Sequence, residues 1–293
     1  MSMVHTVKPI VVAVDGSESA RNAARWAARA AQQRGRRLRV VHVYQWPLPA
    51  YRPVFVDSTT LREAIRHTAA ALLRQAVAEA EAAAPGLDPE SELLCGDPVV
   101  VLREVSQDAA MVVLGSRGLG GFTGLLVGSV AVALAGHGYC PVAVVRDGRP
   151  DPGGPVVVGV DGSPAGEAAI ALAFEEAALR GSGLVAVHAW TDAVFPDGSF
   201  YPDLDWAAQT ERATEVLAER LAGWQERYPE VAVHRVIEHD RPARALRDAA
   251  KGAQLLVVGS RGRGGLTGLA LGSVSQAMIH HAPCPVLVAR PES

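Results

Sequence analysis

Cysteine is scarce in this chain of 293 residues, which has only three: Cys95, Cys140 and Cys284. So small and odd a number excludes the disulfide framework of a small secreted domain. Cys140 and Cys284 each precede a proline and an apolar run, a position typical of a small buried thiol at the start of a strand. The sequence also lacks CxxC, HExxH and related spacings, so we predict no protein-bound metal site.

Long apolar runs and a dominant charge are missing as well. The longest apolar stretch, 125–136, contains glycine and serine and is shorter than the roughly 20 residues that cross a bilayer. The N-terminal MSMVHTVKPI has no apolar segment typical of a secretory signal. The formal net charge is −3, which gives no indication of nucleic-acid or membrane binding. We therefore expect a cytoplasmic protein with neither kind of partner.

The chain repeats itself once, through three matching segments in the same order. The pairs are IVVAVDGS at Ile10 with VVVGVDGS at Val156, GSRGLGGFTGLLVGSV at Gly115 with GSRGRGGLTGLALGSV at Gly259, and CPVAVVR at Cys140 with CPVLVAR at Cys284. The segment DGRPDPGG separates the copies, and its Asp, Pro and Gly content marks a linker. We predict two domains, 1–147 and 155–293, joined by a linker at 148–154.

Each copy alternates short apolar strands with helices. In the first copy the predicted strands are Ile10–Val14, Leu38–Tyr44, Glu90–Leu94, Met111–Leu114 and Val142–Arg146. The predicted helices run from the N-cap Ser17 to about Arg34, along the apolar face from Leu61 to Ala80, over Val99–Ala109 and over Ser129–His137. This alternation favours a parallel sheet with helices on both faces. We predict an α/β protein of two tandem, doubly wound, five-stranded, Rossmann-like domains with strand order 3-2-1-4-5.

Two conspicuous loops follow the first and fourth strands, which this order places side by side. The first loop, Asp15-Gly16-Ser17, recurs as 161–163. The second consists of Gly115-Ser116-Arg117-Gly118, nine residues, and then Gly128-Ser129, and it recurs in 259–273. Ligands of open α/β sheets bind where the winding reverses, so we expect both loops to border one crevice.

The second loop has the composition of an anion site. Glycines let backbone amides approach an anion closely, and the helix that opens at Gly128-Ser129 directs free N–H groups and a positive dipole end at the crevice. The hydroxyl groups of Ser129 and Ser273 can add a hydrogen bond. Arg117 and Arg261 can supply positive charge. We therefore predict that phosphate binds here.

The aspartates of the first loop need a different partner, because a carboxylate facing phosphate would repel it. We expect Asp15 and Asp161 to meet a ribose hydroxyl, an adenine edge or a water on Mg²⁺. Ala13 and Gly159, two residues upstream, leave room for a flat base. Asp192, just past the second strand of the second copy, is a further candidate for ribose or base. The first copy has no matching acid, so the two pockets need not be equivalent.

Histidine recurs at matching strand positions, His42 in VHVY and His188 in VHAW. The matching placement predicts a shared packing or hydrogen-bonding role. Catalysis would also require a nucleophile or an acid at a defined spacing, and we identify none. We therefore predict no catalytic residue.

At these residues the chain resembles the universal stress protein family in its tandem form. Nucleotide-binding members carry G-x-x-G, nine residues and then G-S or G-T, with a strand-one aspartate and a closing CPV strand, and both copies match. The resemblance implies ATP in each domain, which we expect to carry Mg²⁺, and a role in stress survival or growth control. The implied contacts are Asp15, Gly115, Ser116, Arg117, Gly118, Leu119, Gly120, Gly121, Gly128, Ser129 and Val130, and in the second copy Asp161, Asp192, Gly259, Ser260, Arg261, Gly262, Arg263, Gly264, Gly265, Gly272, Ser273 and Val274.

Two classes of function remain open. As a regulatory binder, the protein would order its glycine-rich loops around a nucleotide and change the surface shown to an unidentified protein partner. As an enzyme it would be a slow ATPase or transfer an adenylyl group, although the GxxxxGK[ST] motif is missing. The resemblance also implies that the domains pair through the strands at Val142–Val145 and Val286–Ala289. Association of two chains into a homodimer stays open.

Overall fold

The computed structural model describes residues 7–46, 58–118, 127–146, 151–163, 166–190, 206–262 and 270–291. The chain forms two compact units, Met1–Asp147 and Gly148–Ser293. Within the described ranges, no helix has both the length and the apolar character that crossing a membrane would need.

Both units alternate strands and helices along the described chain. In the first unit the strands are β1 (Ile10–Ala13), β2 (Leu38–Tyr44), β3 (Glu90–Cys95), β4 (Met111–Gly115) and β5 (Val142–Val145), and the helices are α1 (Glu18–Gln33), α2 (Ser58–Ala83), α3 (Pro98–Val105) and α4 (Ser129–His137). In the second unit the strands are β6 (Val156–Gly159), β7 (Leu184–Trp190), β8 (Val233–His239), β9 (Leu255–Gly259) and β10 (Val286–Ala289), and the helices are α5 (Glu167–Arg180), α6 (Trp206–Arg227), α7 (Pro242–Ala249) and α8 (Ser273–His281).

Each unit is a doubly wound parallel sheet. The first unit has the strand order β3-β2-β1-β4-β5 and the second has β8-β7-β6-β9-β10. Strand β1 pairs in parallel with β2 on one side and with β4 on the other, so Ile10 lies opposite both Leu38 and Met111. The expected order 3-2-1-4-5 is confirmed. It brings the carboxyl ends of β1 and β4 together, and those of β6 and β9 in the second unit.

The two units fill their cores with side chains of different size. Strands β1, β4 and β5 are buried β-branched runs, as expected for parallel strands covered on both faces. Helix α1 packs on the first sheet through buried alanines such as Ala23 and Ala27, whose small side chains allow close approach. The matching helix α5 carries Phe174, whose ring stacks on Trp224 and Tyr228 at 6.2 and 5.9 Å between centroids. The two cores are therefore filled differently.

Helix α3 departs from its predicted bounds, and α5 differs from α1. Helix α3 ends at Val105 and continues as a 3-10 turn over Ser106–Asp108, whereas the sequence favoured one helix to Ala109. The Ser106 hydroxyl explains the change, because it donates to the Arg103 carbonyl and accepts from the Tyr139 N–H. Helix α5 begins at Glu167 with Gly166 as its N-cap, three residues later than the register with α1 would place it.

Candidate functional site

An aspartate sits in the turn after the first strand of each unit. In the first unit Gly16 has a φ of +92°, a left-handed conformation that glycine adopts readily. The Asp15 Oδ1 atom accepts a hydrogen bond from the Ser17 N–H at 3.0 Å. The Ser17 hydroxyl accepts from the Ala20 N–H at 3.1 Å and so caps helix α1, as predicted. The turn at 161–163 repeats the aspartate bond at 3.0 Å.

The glycine-rich segment lies against this aspartate in both units. A Cβ placed on Gly118 would lie 2.5 Å from Asp15 Oδ2, and one on Gly262 would lie 2.6 Å from Asp161 Oδ2. Side chains at these positions would therefore collide with a carboxylate oxygen. The fold thus brings the two predicted loops close together in each unit. The sequence alone predicted this proximity only from the expected strand order.

The glycine at the end of the fourth strand has a packing role. A Cβ on Gly115 would lie 2.7 Å from the Ser19 carbonyl carbon and 2.8 Å from the Ala20 nitrogen. Both atoms belong to the backbone of α1, which cannot move aside cheaply. Gly115 therefore lets the first turn of α1 reach the end of β4.

The serine of the GSRG motif is a supporting residue. The Ser116 N–H donates to the Val145 carbonyl, and its carbonyl accepts from the Gly128 N–H, both at 2.8 Å. Ser260 repeats these bonds, with Gly272 as donor at 2.8 Å. Both serines are buried. The ligand contacts of Ser116 and Ser260 stay predictions, and the Gly128 N–H at the start of the helix is occupied by the Ser116 carbonyl.

Amides for an anion remain at the next residues. Helices α4 and α8 begin after an extended N-cap glycine, Gly128 or Gly272, and neither helix has a side-chain cap. The first N–H groups of an α-helix have no acceptor within the helix. The N–H groups at 129–131 and 273–275 are therefore directed out of the helix ends, where the dipole favours negative charge.

A cavity of about 430 Å³ lies at this place in the second unit, within the size range of small-molecule sites. It lies between the carboxyl ends of β6, β7 and β9 and the N-termini of α7 and α8. Eight of the predicted contacts line it: Gly159, Asp161, Gly259, Arg261, Gly262, Gly272, Ser273 and Val274. The fold therefore gathers residues from distant parts of the sequence around one space.

The apolar wall of this cavity comes from residues that sequence reasoning missed. Trp190, Pro242 and Leu246 line it, and a Cβ on Gly159 would lie 3.0 Å from Leu246 Cδ1. The first unit has Ala13 in place of Gly159. A usable signal was present: Trp190 ends β7, and Pro242 and Leu246 lie in the helix that follows β8, so all three are near the carboxyl ends of strands.

The two strand histidines have the shared role that their spacing predicted. His42 Nδ1 lies 2.7 Å from the Val14 carbonyl oxygen, and His188 Nδ1 lies 2.7 Å from that of Val160. Because a carbonyl only accepts hydrogen bonds, Nδ1 carries the proton in each ring. Each histidine thus holds the residue that precedes the site aspartate.

Some predicted contacts lie outside the described residues: Leu119, Gly120, Gly121, Asp192, Arg263, Gly264 and Gly265. Among the residues that are described, no group of three His, Cys, Asp or Glu side chains is placed to hold a metal ion. In the described part of the chain, the lining of the cavity combines the N-terminal amides of α8 with Asp161, Arg261 and an apolar wall.

A doubly wound parallel sheet with glycine-rich loops at the reversal of strand order defines a Rossmann-like α/β protein with a ligand crevice at the strand ends. Residues 6–146 and 154–290 each match the model of the universal stress protein family. The chain belongs to this family and contains two of its domains in tandem.

Relatives of the same architecture cover nearly the whole chain. A universal stress protein of Mycobacterium tuberculosis is 46% identical over 287 residues, which is 96% of each protein. The crystal structure of a universal stress protein from Archaeoglobus fulgidus has a TM-score of 0.68 at 22% identity and covers 97% of this chain and 98% of its own, so it shows the fold. Another Archaeoglobus fulgidus protein, solved in complex with dAMP, is 26% identical, with a TM-score of 0.35 over 47% of this chain and 97% of its own.

Proposed function

We propose that each domain, 1–147 and 155–293 with the linker 148–154 between them, binds ATP with Mg²⁺, and that nucleotide occupancy regulates stress survival or growth. One observation carries the proposal. The uncapped N-terminus of α8 opens into the 430 Å³ cavity that Asp161 and Arg261 also line. A polyanion with a flat apolar end suits this combination of amides, positive charge and apolar wall.

The parts of the nucleotide take separate positions in this arrangement. The phosphates lie at the N–H groups of Ser273 and Val274, where the helix dipole and Arg261 supply positive charge. The base lies against the apolar wall of Trp190 and Leu246. The Asp161 carboxylate would repel phosphate. It therefore contacts a ribose hydroxyl or a water bound to Mg²⁺. The first unit repeats the aspartate turn and the uncapped helix.

Regulation through a protein partner follows from the position of the nucleotide against the glycine-rich segments. The glycine-rich segments meet the phosphates, so binding changes the surface that they present to a protein partner. We place this activity in the cytoplasm, because none of the three cysteines is in a disulfide and reduced cysteines suit a reducing compartment.

The test changes the N-cap glycines. Gly118 and Gly262 are unsuitable positions, because a new side chain would strike the site aspartate. A Cβ on Gly128 would find no atom nearer than 3.9 Å, and one on Gly272 none nearer than 3.5 Å. Gly128→Asp with Gly272→Asp puts a carboxylate where the phosphates should lie. Aspartate is also a favoured N-cap, so the fold is retained.

We expect the double aspartate variant to bind ATP about tenfold more weakly or worse, measured by calorimetric titration with Mg²⁺, while its melting temperature stays the same or rises. Gly128→Asn with Gly272→Asn is the matched control, since asparagine caps the helix without charge. Unchanged ATP affinity in the aspartate variant would refute the placement. A natural protein that binds no ATP would refute the proposed function.

A further inference from the structure

A groove lies between α7 and α8 of the second unit, and it is separate from the cavity described above. Its volume is about 520 Å³, within the range of small-molecule sites. Three arginines of α7, at positions 241, 244 and 247, line it together with His281 of α8, and all four side chains are exposed. The α7–α8 groove and the cavity share both helices but, among the described residues, no lining residue.

Two of the three arginines carry a charge that the protein does not balance. Arg244 Nε lies between two carboxylates, 3.3 Å from Asp240 Oδ2 and 3.9 Å from Asp248 Oδ2. The guanidinium groups of Arg241 and Arg247 have no hydrogen-bond or ion-pair partner among the residues that the structure describes. The groove therefore presents two separate positive charges to a ligand.

The arginine at the start of α7 is unfavourable for the helix itself. Arg241 is the N-cap residue, yet its side chain makes no capping hydrogen bond. The register of GDPVVVLREV with DRPARALRDA puts Asp97 at this position in the first unit, where its Oδ1 accepts from the N–H groups of Val99 and Val100 at 2.9 and 3.2 Å. A cation at a helix N-terminus also opposes the helix dipole. Helix stability does not explain Arg241, and such local conflicts concentrate at functional sites.

The matching surface of the first unit lacks the two charges. Val100 lies at the position of Arg244. Arg103, the counterpart of Arg247, donates to the Tyr139 hydroxyl at 2.8 Å, and its guanidinium is therefore engaged within the protein. The charged groove belongs to the second unit, so the first unit offers a comparison within the same chain.

We propose that the α7–α8 groove is a separate ligand site that takes a small organic molecule with two acidic groups, one against Arg241 and the other against Arg247. The planar guanidinium fork matches the oxygens of a carboxylate or a phosphate. A helix rises about 1.5 Å per residue, so the backbone attachment points of the two arginines lie about 9 Å apart. The apolar side chains of Ala243, Ala277 and Met278 also line the groove and contact the part of the ligand that joins its acidic groups.

NMR titration of the full chain with two dianions tests this inference. The probes are octanedioate and butane-1,4-diyl bisphosphate, and the one that saturates at the lower concentration identifies the preferred acidic group. We expect shifts of the amide signals over 243–248 and 277–281, and none over the matching 99–104 and 133–137 of the first unit. Octanoate and butyl phosphate, which have one acidic group each, should bind about tenfold more weakly, because one charge-assisted contact is lost.

Arg241→Gln with Arg247→Gln should weaken binding of the preferred dianion about tenfold or more, while the melting temperature stays the same or rises, because a cation leaves the start of α7. Arg212→Gln with Arg235→Gln is the matched control. It removes the same charge from exposed positions of the second unit outside the groove and should leave the affinity unchanged.

The outcomes separate this inference from the nucleotide function. Absence of shifts over 243–248 and 277–281 with both dianions overturns it, as do equal affinities for the dianions and the singly acidic probes, or equal affinities of the two arginine variants. Shifts confined to 129–131 and 273–275 also overturn it, while supporting the phosphate position proposed above. Binding in the groove that requires Arg241 and Arg247, in a protein that binds no ATP, supports it and refutes the nucleotide function.

Discussion

At the scale of single residues, a buried histidine fixes the position of each site aspartate. The ring of His42 donates to the carbonyl of Val14, which precedes Asp15, and His188 repeats the bond at Val160. Both rings are buried. A buried carbonyl that loses its donor has no water to replace it, so the histidines connect the core of the sheet to the aspartate turn.

Replacing His42 by phenylalanine should therefore lower the free energy of unfolding of the first unit by about 1–3 kcal/mol. Phenylalanine keeps the ring and removes the donor. Urea denaturation monitored by amide exchange in β1 would measure the change. His67→Phe, at an exposed position of α2, is the control and should have little effect. A loss below about 0.5 kcal/mol at His42 would contradict a hydrogen-bonding role.

At the scale of elements, each unit joins its first two helices with an ion pair, but at different positions. In the first unit Arg25 of α1 contacts Glu79 of α2 at 2.8 Å. In the second, Arg220 of α6 contacts Glu167 of α5 at 3.0 Å. The hydrogen bond from Arg25 holds the pKa of Glu79 below its ordinary value. The unfolded state therefore binds a proton at Glu79 more readily than the folded state does.

This pair should contribute to stability above the ordinary glutamate pKa of about 4.3 and lose its contribution as the pH falls through the lowered pKa of the folded state. We expect Glu79→Gln to lower the free energy of unfolding by about 0.5–1 kcal/mol at pH 7, because the pair is partly exposed to solvent and screened. The deficit should disappear in acid. Denaturation at several pH values measures it, with the exposed Glu81→Gln as control. A deficit that does not depend on pH would exclude the ion pair as its cause.

The bounds of the elements show which local signals the sequence carries. The apolar β-branched runs predicted β1, β2, β4 and β5 to within one residue, because burial on both faces leaves little choice of residue type. The end of α3 was mispredicted, because Ser106 bonds to Tyr139, which lies 33 residues further along the chain. A local sequence pattern cannot include a hydrogen-bond partner that lies so far along the chain.

At the scale of the whole molecule, the two units repeat the same loops and differ in their cores. Glu176 of the second unit is fully buried and accepts a hydrogen bond from Arg180 at 3.0 Å. Arg180 also donates to Gln254, whose amide donates to the Gly154 carbonyl. The first unit has Ala30 in place of Glu176 and Ala110 in place of Gln254. The loops are therefore more similar between the two copies than the buried polar groups are.

Glu176→Ala should destabilise the second unit by about 1–3 kcal/mol, because the half-buried Arg180 guanidinium loses its carboxylate acceptor and keeps its bond to Gln254. Amide exchange resolved by residue would show the loss of protection in β6 and β9. Arg34→Ala, at the position in the first unit that matches Arg180, should cost less than about 1 kcal/mol, since no buried acid faces it from position 30. A Glu176 variant as stable as the natural protein would refute a stabilising role for the cluster.

By itself the sequence determined the tandem organisation, the doubly wound sheets and the position of both loops along the chain, because apolar periodicity and internal repetition are properties of the chain alone. Only the tertiary structure decided which polar groups are left for a ligand. It assigned the N–H of Gly128 to Ser116, placed Gly118 against Asp15 and brought Leu246 to the cavity wall. These contacts join residues that are distant in sequence, and hydrogen bonding and packing between them exist only once the sheet has formed.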